Sequence, residues 1–542
     1  MNPLSDQKHV AGSARRGPRP ASVALGAVGL VAVGVLTAMV ARAYPVSSDD
    51  ATGMLEAASI LRGNLLLAGW KVSNVSFVAT DLPYYVVAVA LRGMDPSLLR
   101  DVPSAVYAVA VGLAITLAAS GVRRGGLAMA AAALLLGFPS GGLAEFVTKG
   151  YIRVGTSIGL FAGLIALAGP AGRPVSTTRL ALYMAAVGLT LLSDTYMLVI
   201  GVIAVLVVCL LGLARGETYE DVGLRRVALA TLLTAPLALG GTWLIRATGG
   251  FETEPLPLKD YLWSEHPLQR AAANLRALTD HLPSLYRCDL PAGRGWPGWA
   301  AWLGCMIGPA LLAYAAWWGC PARRRRVRGD FTGDVLWVSM ALGLAAFVAS
   351  ANEKDRGTLR YMVPFLLSGA VLTARVVGER MVPTRRVAGA LVVLAAAYGM
   401  TVAGNLATAP VEDPAANLAV WLKAHGLQHG YGPYWDASIV TASGRGYVAV
   451  RPIRGRELTP GGEMVVEPFR WMSDEAWYRE GPVNFVVFRL NPAPKYHFQV
   501  VEHNCIAWFG RPSVGYMVGP YEVLVWNKDL RPLLVMDLPW HM

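Results

Sequence analysis

Two adjacent carboxylates, Asp49 and Asp50, stand in the run Ser47-Ser48-Asp49-Asp50-Ala51 directly after a long apolar stretch. At the start of a helix such residues satisfy free N–H groups and suit the positive end of the dipole. The pair can also act as a general base or metal ligand at a membrane–water boundary, where a carboxylate meets a hydroxyl and a lipid-linked phosphate together. Capping does not exclude that use. Cations able to receive a phosphate stand further along the chain: Lys149 and Arg153 in one segment, Lys354, Arg356 and Arg360 in another. Snorkelling at helix ends accounts for Arg153 and Lys354 without any function. Arg360 is harder to explain that way, because it sits at the edge of an apolar run on the side where basic residues are disfavoured, and guanidinium suits bidentate phosphate binding. Asp194 falls between two apolar runs with almost no linker, either as a tight-turn residue or as a functional carboxylate at a costly depth. Lys259, Asp260, Glu265 and His266, among Leu262, Trp263 and Pro267, fit an interfacial belt or a sugar-stacking surface equally well.

These residues must be positioned by a chain whose solvent is mostly lipid. Of its 542 residues, 54% are hydrophobic and 15% charged, and its mean hydropathy is +0.43, far from a soluble globular composition. Apolar runs of roughly 17 to 25 residues read as spanning helices, since hydrocarbon leaves no water to satisfy the backbone. Eleven are expected: 21–43, 103–121, 126–143, 155–170, 179–193, 195–214, 227–246, 299–320, 333–351, 361–378 and 387–406. The first reads as a retained helix, because Ala41-Arg42-Ala43 puts a charge in the small-residue pattern a signal-peptide cleavage site needs. Basic residues stay cytoplasmic, and Arg15, Arg16, Arg19, Arg123, Arg124, Arg225, Arg226, the run from Arg323 to Arg328, Arg385 and Arg386 fall on one side of this arrangement. The N-terminus (1–20) is therefore expected in the cytoplasm and the tail after 406 outside. The net charge of +12 is largely accounted for by these loops, which makes it a topology signal and argues against nucleic-acid binding. Residues 82–94 are too few to cross a core of about 30 Å. With the run from Ala51 to Arg62, they are expected to lie on the outer interface within one large loop, 44–102.

Taken in this order, the residues resemble the GT-C fold glycosyltransferases of the dolichyl-phosphate-mannose or PMT-like superfamily, which use polyprenyl-phosphate sugars. The likeness covers roughly residues 20–405 and rests on four features: Asp49-Asp50 after the first span, Gly63-Asn64, Thr80-Asp81-Leu82-Pro83-Tyr84-Tyr85 at the start of a second juxtamembrane helix, and Leu359-Arg360-Tyr361 before Pro364. The resemblance implies an inverting hexosyl- or pentosyltransferase, with Asp49 as base and Asp50 its neighbour. Arg360, Lys149, Arg153 and Arg356 are expected at the donor phosphate, and Asp81, Tyr84, Tyr85, Asp194, Tyr361 and His266 around the substrates. The family often has a second aspartate after the third span, where this chain has Glu145, so the role of a divalent metal stays open. The implied partners are a polyprenyl-phosphate sugar donor, membrane lipids, and a glycan, lipid or protein acceptor. The implied location is a bacterial inner or plasma membrane. A transporter or flippase of lipid-linked sugars would also need many spans, but transporters often carry internal repeats and mid-membrane charges, whereas here no repeat is visible and the charges gather at the outer edge. A GT-C-like protein without catalysis is the third reading.

After Asn405 the composition turns Trp-, Tyr- and Pro-rich, with strand-like runs 447–451 and 484–488 behind a helix-like Ala415–His425. An external α/β or α+β domain over 407–542 is expected. Its segment Gly430-Tyr431-Gly432-Pro433-Tyr434-Trp435-Asp436 resembles tails of some bacterial relatives without indicating a mechanism. Cys288 and Cys505 alone lie on the external side, where an oxidising compartment permits pairing. Such a bond would pin the tail over the loop 247–298.

Overall fold

The computed structural model describes residues 20–139, 141–168, 175–216, 219, 223–254, 266–285, 295–321, 330–351, 354, 357–457, 464–490 and 502–536. Its first four helices are α1 (Pro20–Ala41), α2 (Ser48–Leu61), α3 (Leu82–Arg92) and α4 (Leu98–Ala119). The bundle continues through α5 (Gly125–Leu136), α6 (Gly141–Val147), α7 (Val154–Leu167) and α8 (Thr177–Ser193). A π-helical turn over Leu198–Ile203 then leads into α9 (Ala204–Arg215), followed by α10 (Leu224–Ala247) and α11 (Pro267–Leu285). The last helices of this region are α12 (Gly295–Cys305), α13 (Ile307–Gly319), α14 (Phe331–Ala349), α15 (Val363–Arg380) and α16 (Arg385–Ala407).

Eight helical stretches among the described residues are long and apolar enough to cross a membrane. Each overlaps one of the eleven apolar runs; the other three runs form the shorter helices α5, α7 and α8. The chain is an integral membrane protein. Large apolar side chains face outward, as lipid contact requires: Leu25, Val28 and Val31 on α1, and Leu229, Leu232 and Leu237 on α10, are more than half exposed. Helix α15 is the central element, with most of its apolar residues from Val363 to Val377 buried. The short apolar run before the second long span becomes α3, 11 residues. At 1.5 Å per residue it is about half the thickness of a bilayer core.

Behind α16 the chain builds a mixed sheet whose strand order is β5-β4-β3-β7-β9-β8: β3 is His429–Gly432, β4 Ala449–Glu457, β5 Met464–Pro468, β7 Phe485–Arg489, β8 Val514–Val518 and β9 Tyr521–Val525. Strands β3, β4 and β7 are parallel, and antiparallel β5 and the β8–β9 hairpin close the flanks. Parallel neighbours need a crossover, which the helix α18 (Tyr434–Ser443) provides between β3 and β4, while α17 (Pro414–Ala424) packs beside it. Gly430 is required by close packing, since a Cβ there would fall 2.2 Å from the Phe485 ring.

The β-rich domain is sewn to the juxtamembrane segment. Strand β1 (Trp70–Val72) pairs in parallel with β2 (Glu252–Thr253) and antiparallel with β6 (Ser473–Asp474), a three-stranded sheet drawn from three distant parts of the chain. Trp70 is fully buried, edge-on to Trp477 at 5.0 Å, and its indole N–H donates to Ser59 Oγ at 3.1 Å. The anchor expected from a disulfide is replaced by this sheet: Cys505 is a buried free thiol, and Cys288 lies outside the described residues.

Candidate active site

Ser47 and Asp50 form a reciprocal capping box at the start of α2. Asp50 Oδ2 accepts from the Ser47 N–H at 2.7 Å and its hydroxyl at 2.8 Å, and Oδ1 accepts from the Gly150 N–H at 2.6 Å. The close approach of Gly150 depends on its missing side chain, because a Cβ would stand 2.5 Å from Tyr85 Oη. Burial raises the Asp50 carboxyl to about 6. Its oxygens are committed to holding the backbone.

Asp49, on the adjacent face of the same helical turn, points elsewhere. Its side chain is 23% exposed, and its Oδ2 lies 3.9 Å from an Arg360 guanidinium nitrogen. Its Oδ1 accepts from Tyr434 Oη at 2.8 Å. Desolvation raises the Asp49 carboxyl above the usual range, against the opposing influence of Arg360, the Tyr434 hydrogen bond and Lys149. A carboxylate so poised is a better proton acceptor than one in open water.

Four cations surround this point. Arg360 sits on the 3₁₀ turn Gly357–Met362 that opens α15, 43% exposed, with its guanidinium 5.4 Å from the Tyr361 ring centre. Arg153 lies between the Tyr196 ring at 4.9 Å and the Tyr361 ring at 4.7 Å. Lys354 approaches Tyr361 at 5.7 Å and donates to Ser350 Oγ. Lys149 pairs with Glu145 at 3.7 Å and acts electrostatically on both Asp49 and Asp50. Arg356 lies outside the described residues.

The cations differ in burial and exposure. Arg153 has a left-handed backbone (φ 37°) and bonds the fully buried Asp194 at 2.6 Å. Asp194 also accepts from Thr156 Oγ1 at 2.6 Å and from the Tyr196 N–H at 3.0 Å. This carboxylate holds Arg153 and the α8–α9 corner, and its satisfied oxygens do not face a ligand. Arg153 in turn braces Tyr361, the neighbour of Arg360. Arg360 and Lys149 keep partial exposure, 43% and 27%.

Behind α2 lies a sealed acidic and phenolic layer. Glu56, 1% exposed, accepts a hydrogen bond from Tyr151 Oη, and burial raises its carboxyl to about 8. Asp81, 5% exposed, is pushed up to about 7 by burial, with a further rise from nearby Asp194. Asp81 Oδ2 and Tyr85 Oη are buried without a hydrogen-bond partner. Asp81 and Tyr85 therefore back the juxtamembrane helices, whereas Tyr84 is half-buried on the outer side of α3. His266 is exposed beside Pro267, where α11 begins; this helix docks through Asn274 Nδ2, which donates to Ser350 O at 2.7 Å. Lys259, Asp260 and Glu265 lie outside the described residues.

Among the described residues no three Asp, Glu, His or Cys side chains converge. Asp50 is occupied by N–H and O–H donors, and Asp49 Oδ1 by a phenol.

Residue Tyr434 was not among the site residues read from the sequence. It belongs to the C-terminal domain, 385 residues from its partner. Its only sequence-level signal is its place in the aromatic run 430–436.

A helical membrane bundle with two juxtamembrane helices before its second long span and a β-rich C-terminal domain is the GT-C fold. The chain is similar to the crystal structure of ArnT from Cupriavidus metallidurans bound to undecaprenyl phosphate, with 15% identity and a TM-score of 0.55 over 94% of this chain and 98% of that one. It is equally similar to ArnT of the same organism in the apo state, with 15% identity and a TM-score of 0.55 over 95% of this chain and 100% of that one. No protein-family model and no curated protein matches the sequence.

Proposed function

We propose that the chain is a membrane glycosyltransferase that moves a sugar from a polyprenyl-phosphate donor to an acceptor hydroxyl, with inversion. The observation that carries this reading is Asp49, a partly exposed carboxylate of raised proton affinity facing the half-open Arg360 at 3.9 Å. In the proposed step the acceptor oxygen bonds to the anomeric carbon as the carbon–phosphate oxygen bond breaks, with the hydroxyl proton passing to Asp49. The polyprenyl phosphate leaves as an anion against Arg360, with Lys149 adding positive field. Phosphate is a good leaving group, so no second protonated acid is needed, unlike a glycoside hydrolase pair. The neighbouring ArnT structure with undecaprenyl phosphate supports a donor of that class.

The reading places the tail-bearing face, with residues 407–542, outside the cytoplasm and the N-terminus inside. Its support is the basic residues Arg123, Arg124, Arg385 and Arg386, which lie at the helix ends remote from α2. The test is product analysis of membranes from a strain lacking the gene. A glycan short of one sugar, restored by the wild-type chain and not by Asp49→Asn, is expected. Complete glycans outside with an accumulated lipid-linked sugar inside would replace this reading with a flippase.

A further inference from the structure

The base of the proposed reaction sits on a juxtamembrane helix, yet one of its two oxygens is held from another domain. Tyr434 Oη donates to Asp49 Oδ1 at 2.8 Å and lies 3.4 Å from Met472 Sδ. The phenol is 2% exposed and packed among Trp435 at 5.1 Å, Phe469 at 5.6 Å and Trp471 at 4.8 Å between ring centres. These rings all belong to the C-terminal domain.

The helix that carries Tyr434 is fixed both to its own sheet and to α2. At its first turn Asp436 Oδ1 accepts from Arg489 Nε at 2.8 Å, and Arg489 also donates to Tyr521 Oη at 2.6 Å, so α18 is tied to β7 and β9. Toward α2 the Ile439 N–H reaches Ser48 Oγ at 3.3 Å, the residue next to Asp49. Docking alone would be served by the apolar contacts of these two helices. A phenol hydroxyl aimed at the one carboxylate of α2 that faces the cations is an additional feature, and burial makes its hydrogen bond a directional constraint.

We propose that Tyr434 is a positioning residue for Asp49, so that the C-terminal domain completes the active site: it holds Oδ1 and leaves Oδ2 turned toward Arg360 and the acceptor. This inference rests on the reading of Asp49 as the base. The titratable and charged groups around that carboxylate are Asp50 and Glu56 on its own helix, Lys149 after α6, Arg360 before α15, and Tyr434. Of these Tyr434 alone donates a neutral hydrogen bond, which favours the charged carboxylate and offsets part of the cost of burial.

The experiment uses the full chain in nanodiscs made with lipid extract from the deletion strain, which supplies donor and acceptor together. Loss of polyprenyl-phosphate sugar is followed by mass spectrometry from pH 5 to pH 9. Tyr434→Phe keeps the ring and removes only the hydroxyl. The acidic limb of its rate profile is expected to move up by about one pH unit, with turnover near the limb down about tenfold and the half-saturating donor load unchanged. Recovery of the rate at high pH is expected as well. Fluorotyrosine at position 434, a stronger donor of the same shape, should move the limb the opposite way. An unmoved limb in both variants, with Asp49→Asn inactive, overturns the role of Tyr434 and leaves the base in place. Near-normal turnover of Asp49→Asn overturns the base itself, whatever Tyr434→Phe does.

Discussion

Two arginine–aspartate pairs stand at the two ends of the same span and are built in opposite ways. At the end of α15 remote from the tail, Arg375 is 5% exposed and all three of its guanidinium nitrogens are hydrogen-bonded. Nε and one terminal nitrogen grip Asp330 at 3.0 and 2.6 Å, while the other terminal nitrogen donates to Leu117 O at 2.6 Å and Ser120 O at 2.8 Å. At the tail-bearing end Arg360 is 43% exposed and meets Asp49 at 3.9 Å, beyond hydrogen-bond length. The first pair is buried and hydrogen-bonded on its arginine side; the second is wider and more exposed on that side. Arg153–Asp194, at 2.6 Å, belongs with the first kind although it stands beside the second. Charge at a membrane edge is therefore informative only together with how completely it is satisfied.

The sealed pair should give the largest effect on folding. Arg375→Ala removes two bonds to Asp330 and two to main-chain carbonyls and is expected to cost about 3 kcal/mol, read as a lower unfolding temperature in detergent. An unchanged melting curve would put the two pairs in one class. Asp49→Asn should instead leave the melt intact and lower turnover by about 100-fold or more, the scale of a lost general base. Near-normal turnover would move the role to Asp50. Arg360→Ala should weaken retention of a polyprenyl phosphate about tenfold or more, with a melting shift within about 0.5 kcal/mol. Arg360→Lys should not restore binding, because a point charge cannot reproduce the planar fork. Unaltered binding in Arg360→Ala would transfer the phosphate to Lys149.

The smallest effect concerns the layer behind α2. Glu56 goes from an ordinary 4.5 to about 8 in the fold, so the folded chain keeps a proton that the unfolded chain releases. Its contribution to stability is fully present below pH 4.5 and is lost as pH rises through about 8. Glu56→Gln removes that dependence, and at pH 9 it should melt roughly 2–4 °C above the wild type. Parallel melting curves for the two proteins from pH 5 to pH 9 would show that the layer does not titrate.

Much of the bundle is visible in the sequence because hydrocarbon imposes a length and a composition that a simple run of residues displays. The same argument keeps Leu82–Arg92 from being taken as a span, since 11 helical residues cannot reach across. Asp49 and Arg360 can be singled out because a charge at an apolar boundary is locally conspicuous. What each contacts is another matter. Asp194 looks like Asp49 in sequence, and only the fold shows its oxygens taken by Arg153, Thr156 and the Tyr196 amide. Arg375 carries a usable signal, a cation within an apolar run. Tyr434 offered almost none: a tyrosine in an aromatic-rich segment is ordinary, and its meeting with Asp49 depends on how two separately coded regions dock.

The three-stranded sheet of β1, β2 and β6 has a consequence for how the protein comes into being. Trp70–Val72 emerges from the ribosome long before Ser473–Asp474, its antiparallel partner. Until the tail has been made and delivered to the same side of the membrane, one edge of β1 has no strand beside it and Asp49 has no phenol. A chain halted anywhere in the bundle could be fully inserted and still lack its finished site. Synthesis and docking of the last domain thus act as a timer, withholding the completed site until the whole polypeptide has arrived.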